Sequence, residues 1–440
     1  MKRGSYWLLA LSLSAAACQR EKPSVAASAP AAARSAQEDR LEAARRIAVA
    51  IPNQQSAADL EIRKLATVAK AQPTRLASWI ELGRAWVKKA RASSDPGYYV
   101  NADACAQVAL DLAPDDALAL DLRALVLLNN HAFTEAKLLG EVLVKRNPES
   151  AMAWGSLSDA LLELGEHEAA ERAVRTMLDL KPNLPSYSRA SYLHWLRGDH
   201  AGAKELARLA IDASDDPRQP EPRAWMIVQA AQLFWHVGDV PGAAAGFEKA
   251  LEVLPDYAPA LVGRGRVALA SGDAAEAARI FARAFERSPL PETAWLLGQA
   301  RELNSDSTGA AAAYADAERE GRRSDPRTLA LMFASRGHSL DEALMLAERE
   351  RRVRADIYTE DTLAFAQYRK GLLKDAKASI ERARRLGTLD ARLLFHEGAI
   401  RLALGERNAG RKLLKQALGL NPHFDEFGAR EARALLQGAT

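Results

Sequence analysis

Cysteine, aromatic residues and an excess of charge of either sign are all scarce in this chain. Two cysteines among 440 residues cannot form a disulfide framework. Aromatic residues make up only 6%, whereas hydrophobic residues reach 48% and charged residues 27%, a composition typical of a folded, strongly helical protein rather than a disordered one. The formal net charge is only +3 and the dense basic runs are broken by glutamate, so we do not expect nucleic acid as a partner.

The apolar run near the start of the chain is too short to cross a bilayer. It extends from Tyr6 to about Ala17, whereas a membrane-spanning helix takes roughly 20 apolar residues. The run follows Lys2 and Arg3 and ends in small residues, a pattern typical of a secretory signal. We therefore predict a signal peptide over residues 1–17.

The signal ends in Ala15, Ala16, Ala17 and Cys18. This stretch resembles the lipobox of bacterial lipoproteins, although alanine stands at position 15 where that family usually has leucine. The resemblance implies a fatty acid on Cys18 and, because Gln19 follows it, a location on the periplasmic side of the outer membrane. An ordinary signal peptide that leaves a soluble periplasmic or secreted protein is the alternative.

The residues after the signal are rich in alanine, serine and proline. Such a composition cannot bury a core, so residues 18–37 are predicted to form a flexible tether. A tether is useful to a protein that is anchored at its end. Residues 38–75 are predicted to form two helices that precede the main folded part.

Prolines that recur at a fixed interval indicate an internal repeat. Thirty-four residues separate Pro114 from Pro148, Pro148 from Pro182, and Pro255 from Pro289. The aligned segments share small residues at positions 8 and 20, large residues at positions 4 and 24, and usually glycine at position 15. They start at residues 117, 151, 224, 258 and 391.

This pattern resembles the tetratricopeptide repeat. Small residues let two antiparallel helices approach closely, large ones fill the space between repeats, and the glycine supplies a left-handed turn that ends the first helix. The resemblance implies an all-α fold, a right-handed superhelical solenoid of stacked antiparallel helix pairs. About ten repeats are expected over residues 76–422, followed by a capping helix within residues 423–440.

Two stretches imitate the zinc-peptidase motif H-E-x-x-H without completing it. His167-Glu168 and His396-Glu397 both lack the second histidine four residues after the first, and no nucleophile elbow or phosphate-binding glycine loop occurs. Cys105 lies among apolar residues and is predicted to be a small buried helix residue. We therefore expect no catalytic residue, no metal and no cofactor, and we do not expect an enzyme.

The remaining candidate surface is the concave groove, which the repeat family lines with positions 2, 5, 9, 12 and 13 of the first helix of each repeat. Aromatic and arginine side chains at such positions are typical of peptide-binding hot spots. Packing between repeats is the alternative role for any one of these aromatics. The candidate partner-binding residues are Tyr192, Trp195, Trp225, Gln232, Trp235, His236, Arg266, Tyr358, Phe365, Tyr368 and Arg369.

Taken together, the sequence predicts an envelope-anchored adaptor that binds a protein or peptide partner through its groove. The repeat specifies a shape, and the partner's identity depends on a few side chains within it. A structural component of an envelope or secretion assembly that needs no peptide groove is the main alternative. A hydrolase is a remote one, because the segments outside the repeats carry no nucleophile–base pair.

Overall fold

The computed structural model describes residues 28–52, 56–93, 95–214 and 220–438. The predicted signal peptide, Cys18 and the first part of the predicted tether lie outside these residues. Within them the chain forms 23 α-helices and no strand. The helices are α1 (Ser28–Ala48), α2 (Ala57–Ala71), α3 (Leu76–Ser93), α4 (Tyr98–Leu112), α5 (Ala117–Asn129), α6 (Phe133–Arg146), α7 (Ala151–Glu163), α8 (His167–Leu180), α9 (Leu184–Leu196), α10 (His200–Asp212), α11 (Pro220–His236), α12 (Val240–Val253), α13 (Ala258–Ala270), α14 (Ala274–Arg287), α15 (Pro291–Leu303), α16 (Ser307–Ser324), α17 (Pro326–Arg336), α18 (Leu340–Val353), α19 (Ile357–Arg369), α20 (Leu373–Ala383), α21 (Ala391–Ala403), α22 (Arg407–Leu420) and α23 (Glu426–Gln437).

The helices from α3 to α22 form ten consecutive pairs, and each pair packs on the next. We number these pairs repeat 1 (α3 and α4) to repeat 10 (α21 and α22), and this architecture confirms the predicted all-α solenoid. Helices α1 and α2 pack on α4 and α3 respectively, and α23 packs on α21 and α22. Because α1 begins at Ser28, the predicted boundary at residue 38 falls inside this helix.

Local sequence determines how each pair is joined. In several repeats a glycine with positive φ ends the first helix, and the aspartate after it caps the second. Gly198 and Gly238 have φ of 74° and 76°. The carboxylates of Asp199 and Asp239 each accept a hydrogen bond from the backbone N–H three residues on, at 2.9 Å. A glycine followed by an aspartate therefore determines where the first helix of the hairpin ends and where the second begins.

Close approach between helices explains the small residues on the first helices, at position 8 and, in repeat 6, also at position 6. A Cβ atom on Gly265, at position 8, would lie 2.4 Å from the ring of Phe281, and one on Gly263, at position 6, would lie 2.3 Å from the ring of Phe247. Both rings are fully buried. Glycine at these positions thus leaves the space that the phenylalanines of the second helices fill.

No helix in the described ranges has both the length and the apolar composition needed to cross a membrane.

The superhelix turns far enough for its later part to rest on its earlier part. We call repeats 1–5 the first layer and α17–α23 the second layer, with repeats 6 and 7 connecting them. The hairpins of repeats 3, 4 and 5 contact the junctions that precede α19, α21 and α23, and we call these contacts the seam. The hydrogen bonds that span it include one at each hairpin: Ala355 N–H to Glu163 O at 2.7 Å, Thr388 Oγ1 to Leu196 O at 2.5 Å, and Asn421 Nδ2 to Trp235 O at 2.7 Å.

The hairpin glycines in the seam meet the backbone of the second layer directly. A Cβ atom would lie 2.6 Å from Ala355 O at Gly165, 2.9 Å from Gly387 O at Gly198, and 2.6 Å from Leu420 O at Gly238. Gly272, in the hairpin of repeat 6, has the same positive φ but no atom within 4 Å of such a Cβ. The seam therefore requires glycine for two reasons: the backbone has a positive φ, and a side chain would collide with the carbonyl oxygen of the second layer.

These two kinds of hairpin glycine make a matched pair for mutation. Alanine at either position has to adopt the left-handed conformation, a cost of about 1–2 kcal/mol. Gly238→Ala additionally drives a methyl group into Leu420 O, so we expect a further loss of about 1–3 kcal/mol in the free energy of unfolding. Denaturant unfolding followed by circular dichroism compares it with Gly272→Ala, and equal losses would contradict the seam.

Candidate partner-binding cleft

The seam brings together the two groups of groove residues that the sequence predicts. Trp195 on α9 donates a hydrogen bond from Nε1 to Tyr358 Oη on α19 at 3.1 Å. The Trp195 ring also stacks on His236, with ring centroids 4.3 Å apart. Residues of repeats 4, 5 and 9 thus lie side by side, but they contact one another across the seam rather than facing an open groove.

Three of the predicted binding aromatics serve packing within the chain. Trp195, Trp235 and Phe365 are 3%, 5% and 1% exposed. Phe365 stacks on the imidazole of His396 with a centroid distance of 3.7 Å. Their rings are therefore held by the solenoid itself, which is the alternative role that the sequence left open.

The other predicted residues occupy varied positions on the inner surface. Tyr192 and Trp225 are exposed, and Gln232 is half-buried on α11. Tyr368 stacks on Phe365 at 5.7 Å, and the Arg369 guanidinium lies over Phe365 while it pairs with Glu431 at 2.6 Å. Trp225 lies at the start of α11, apart from the cleft described below.

Ionisable groups at the seam have pKa values shifted by burial and by their neighbours. Burial lowers the pKa of the His236 imidazole to about 4, although Asp390 opposes this change. Burial also works against ionisation of Asp390, but its neighbours hold the pKa of this carboxyl below its usual value. Because His236 is uncharged at neutral pH, Arg392 and the backbone N–H groups of Arg392 and Leu393 keep Asp390 ionised.

Glu163, at the end of α7, behaves in the opposite way. Burial, followed by the negative charge of Asp356, raises the pKa of its carboxyl to about 7. Arg354 and Arg327 oppose this rise, and the nearest Arg354 nitrogen lies 3.7 Å from Glu163 Oε2. That oxygen accepts no hydrogen bond. The carboxylate therefore enters the seam at a free-energy cost when it is charged.

Beyond the seam, α11 and the connecting repeats 6 and 7 face the second layer across a narrow cleft of about 80 Å³. Its walls come from α11, α13 and α15 on one side and from α17, α19, α21 and the α22–α23 region on the other. Aromatic rings and charged side chains alternate along it. The lining residues are Trp235, Arg266, Leu269, Glu292, Trp295, Leu296, Gln299, Ser335, Phe365, Arg369, Arg392, Phe395, His396, His423, Phe424, Asp425, Glu426, Phe427, Gly428 and Glu431.

Three buried N–H groups in this cleft have no hydrogen-bond partner. They are Nε1 of Trp295 and the Nε atoms of Arg369 and Arg392. Trp295 is 8% exposed, and the ion pair of Arg392 with Asp361 is long, at 3.7 Å. A buried donor without an acceptor costs about 1–3 kcal/mol, so these groups favour a ligand that brings oxygen acceptors.

The charges of the cleft nearly cancel. Arg266 and Glu292 pair at 2.6 Å, as do Arg369 and Glu431. Four carboxylates and three guanidinium groups line the walls in total. A ligand with polar acceptors, apolar side chains and little net charge suits such a site, and an extended polypeptide has all three properties.

The histidines of the two imitation motifs are packing residues. His167 is buried, and burial, with a smaller contribution from Arg385, lowers its pKa to about 4. His396 Nδ1 lies 2.8 Å from Asp361 Oδ1, and Glu397 pairs with Arg384 and Arg401. In the ranges that the structure describes, no three His, Cys, Asp or Glu side chains are grouped to hold a metal.

Sequence reasoning missed several residues of the cleft. Trp295 and Arg392 occupy positions 5 and 2 of their repeats, so the rule used for the groove could have found them. Phe424 and Asp425 belong to the region before the last helix, which has no repeat position and hence no such signal. Asp425 accepts a hydrogen bond from Gln299 at 3.2 Å and so ties this region to α15.

Comparison with known proteins identifies tetratricopeptide repeats in this chain. The tetratricopeptide repeat family model matches residues 122–185, 228–291 and 263–326. Tetratricopeptide repeat protein 33 is 38% identical in Mus musculus and 34% identical in Homo sapiens, each over 89 residues, which are 20% of this chain and 34% of the relative. The chain thus spans about a third of the length of these curated relatives.

Solved helical-repeat structures are similar to this chain at low sequence identity. PilW, titled a widely conserved type IV pilus biogenesis factor, has a TM-score of 0.40 and 17% identity and covers 48% of this chain and 95% of its own. The human IFIT1 dimer with PPP-AAAA has a TM-score of 0.46 and 14% identity, covering 87% and 94%. These likenesses concern the fold and carry no information about what this chain binds.

The raised pKa of Glu163 gives the seam a pH dependence with a definite sign. The folded pKa of about 7 exceeds the ordinary value of 4.5, so the stabilisation is fully present below pH 4.5 and is lost as the pH rises through about 7. Glu163→Gln removes this titration. After allowance for partial exposure, we expect the free energy of unfolding of the wild type to fall by about 1 kcal/mol relative to the variant across that range. Parallel pH–stability curves for the two proteins would contradict the assignment.

Proposed function

We propose that the protein is an envelope-anchored scaffold without catalysis of its own, which binds an extended segment of a partner protein in the cleft. The observation that carries this proposal is the set of three unpartnered donors, Trp295 Nε1, Arg369 Nε and Arg392 Nε, between aromatic walls. The repeats supply a rigid frame that holds those walls apart.

The chemistry of the cleft favours a polypeptide in an extended conformation. Backbone carbonyl groups of an extended chain are unpaired and can accept the hydrogen bonds that the three donors offer. Phe424, which is half-buried and packs on the buried Phe395 with ring centroids 5.6 Å apart, offers an apolar surface to side chains of the ligand. Arg266 and Glu292 at one margin provide charges of both signs.

The location of the protein in this proposal rests on its N-terminal sequence. A short apolar run and the sequence Ala16-Ala17-Cys18 support lipidation of Cys18 and attachment to the periplasmic side of the outer membrane. In this proposal the residues between Cys18 and Ser28, where α1 begins, link the solenoid to the membrane.

A structural role without a peptide ligand is the second candidate, and the seam favours it. Inner-surface aromatics such as Trp195 and Phe365 already pack against the chain itself. A solenoid braced in this way suits a spacer in an envelope assembly. The two functions differ in whether a partner occupies the cleft.

Site-specific photocrosslinking in the cell distinguishes them. A benzoylphenylalanine at Glu292, a half-exposed residue of the cleft margin, should yield a discrete crosslinked product with the partner. The same group at Leu138, which is 58% exposed on α6, is the control and should not yield that product. Arg392→Glu, combined with the Glu292 probe, should strongly reduce the product. The same products from both probes, unaffected by Arg392→Glu, would refute cleft binding.

The anchor is tested separately. Wild-type protein should incorporate radioactive palmitate and sediment with outer membranes, whereas Cys18→Ser should do neither, because only the thiol at this position can be acylated. Cys105→Ser serves as the control, since Cys105 is fully buried and burial raises the pKa of its thiol. Equal labelling of wild type and Cys18→Ser would overturn the anchor.

A further inference from the structure

We infer that copies of this chain associate head to tail, through the same two faces that meet in the seam. This inference concerns assembly and goes beyond the proposed function. The hairpin face consists of the turns between the two helices of each repeat. The junction face consists of the segments between consecutive repeats and the first residues of the helices that follow them. Inside one chain the first layer presents its hairpins to the second layer's junctions. Among the residues that the structure describes, none covers the first layer's junction face or the second layer's hairpin face.

The hairpin face of the second layer has the form of the hairpin face in the seam. Gly371 and Gly405 have φ of 76° and 81°, close to the 75° of Gly165. A Cβ atom on Gly165 would meet Ala355 O, but nothing lies within 4 Å of one on Gly371 or Gly405. Leu372, beside Gly371, is an exposed large apolar residue. The second layer thus carries a hairpin face whose glycines have the same backbone conformation as those in the seam but on which nothing is packed.

The junction face of the first layer differs from its counterpart in composition. In the second layer, position 2 of the first helices is polar: Tyr358 bonds to Trp195, and Arg392 lies near Asp390 at the seam. In the first layer the same position holds Leu118, Met152 and Trp225, which are 49%, 53% and 37% exposed. Position 2 of repeat 4 is Pro185, so large apolar residues occupy this position in three of the five repeats of the first layer. Several exposed large apolar residues along one rim are unusual for a surface without a partner.

A second copy is the occupant that these faces fit. The seam within the chain shows that a hairpin face and a junction face of this solenoid can pack on each other, and each uncovered face is of the kind that the other would need. Several charged groups on the hairpin face pair with each other, Lys370 with Asp341 at 2.6 Å and Arg401 with Glu406 at 2.7 Å. The apolar rim therefore meets a surface on which part of the charge is already neutralised. Because the two faces differ, the contact is heterologous and extends into a row of copies instead of closing as a dimer.

Engineered cysteines test this geometry in the full chain within the cell. Met152→Cys and Leu372→Cys in one chain should give a ladder of disulfide-linked species under oxidation, while each single variant should give none. The native Cys105 is buried and does not interfere, and Cys18→Ser removes the other thiol from every sample. Crosslinking by a single variant would indicate a symmetric dimer and would overturn the head-to-tail arrangement.

Sedimentation velocity supplies a second measurement that does not depend on the crosslinking register. In the Cys18→Ser background, the weight-average mass should rise with concentration and change little with salt, because the rim is apolar. Met152→Asp with Trp225→Asp should abolish the rise, and Leu138→Asp, an equally exposed residue on α6, should leave it intact. A monomer at every concentration, together with no ladder, would overturn the inference.

Discussion

The close approach of two backbones at Gly165, Gly198 and Gly238 is the constraint on which the rest of the structure depends. Each glycine lets a carbonyl oxygen of the second layer come within 2.6–2.9 Å of where a Cβ atom would stand. In a solenoid whose repeats contact mainly their neighbours, most stabilisation is local. The seam adds contacts between distant repeats, and it fixes how tightly the superhelix is wound.

The seam explains why the inner surface is divided. Where the layers touch, the inner residues satisfy one another: Trp195 pairs with Tyr358, and Arg392 and two N–H groups keep Asp390 ionised. Where the layers separate, the same kinds of side chain are left incomplete, and Trp295 Nε1 lacks an acceptor. The cleft is thus the part of the inner surface that the chain does not fill by itself.

The sequence was sufficient for the repeat architecture because its signals are local. A step such as Gly198-Asp199 contains both the end of one helix and the cap of the next. The seam could not be predicted in this way, since Thr388 and Leu196 are 192 residues apart. Whether they meet depends on a small rotation per repeat that accumulates along the array. Repeat positions such as 2 and 5 therefore identified residues on the inner surface. They could not show which of these residues the contact between the layers would bury.

Seam and cleft are linked thermodynamically. The wall that carries Arg369, Arg392 and Phe395 belongs to the second layer, and the seam holds it opposite Trp235 of α11. Its position relative to Trp295 is also fixed by packing through α17 and by the hydrogen bond from Gln299 to Asp425. A ligand that contacts both walls binds the docked arrangement alone, so it stabilises the seam by the same free energy with which the seam stabilises the bound state. Asn421 joins the two directly, because it follows α22, precedes the cleft residues His423 and Phe424, and donates to Trp235 O. Under the proposed function, a change in the seam is therefore also a change in the affinity of the cleft for its ligand, even where no cleft residue is altered.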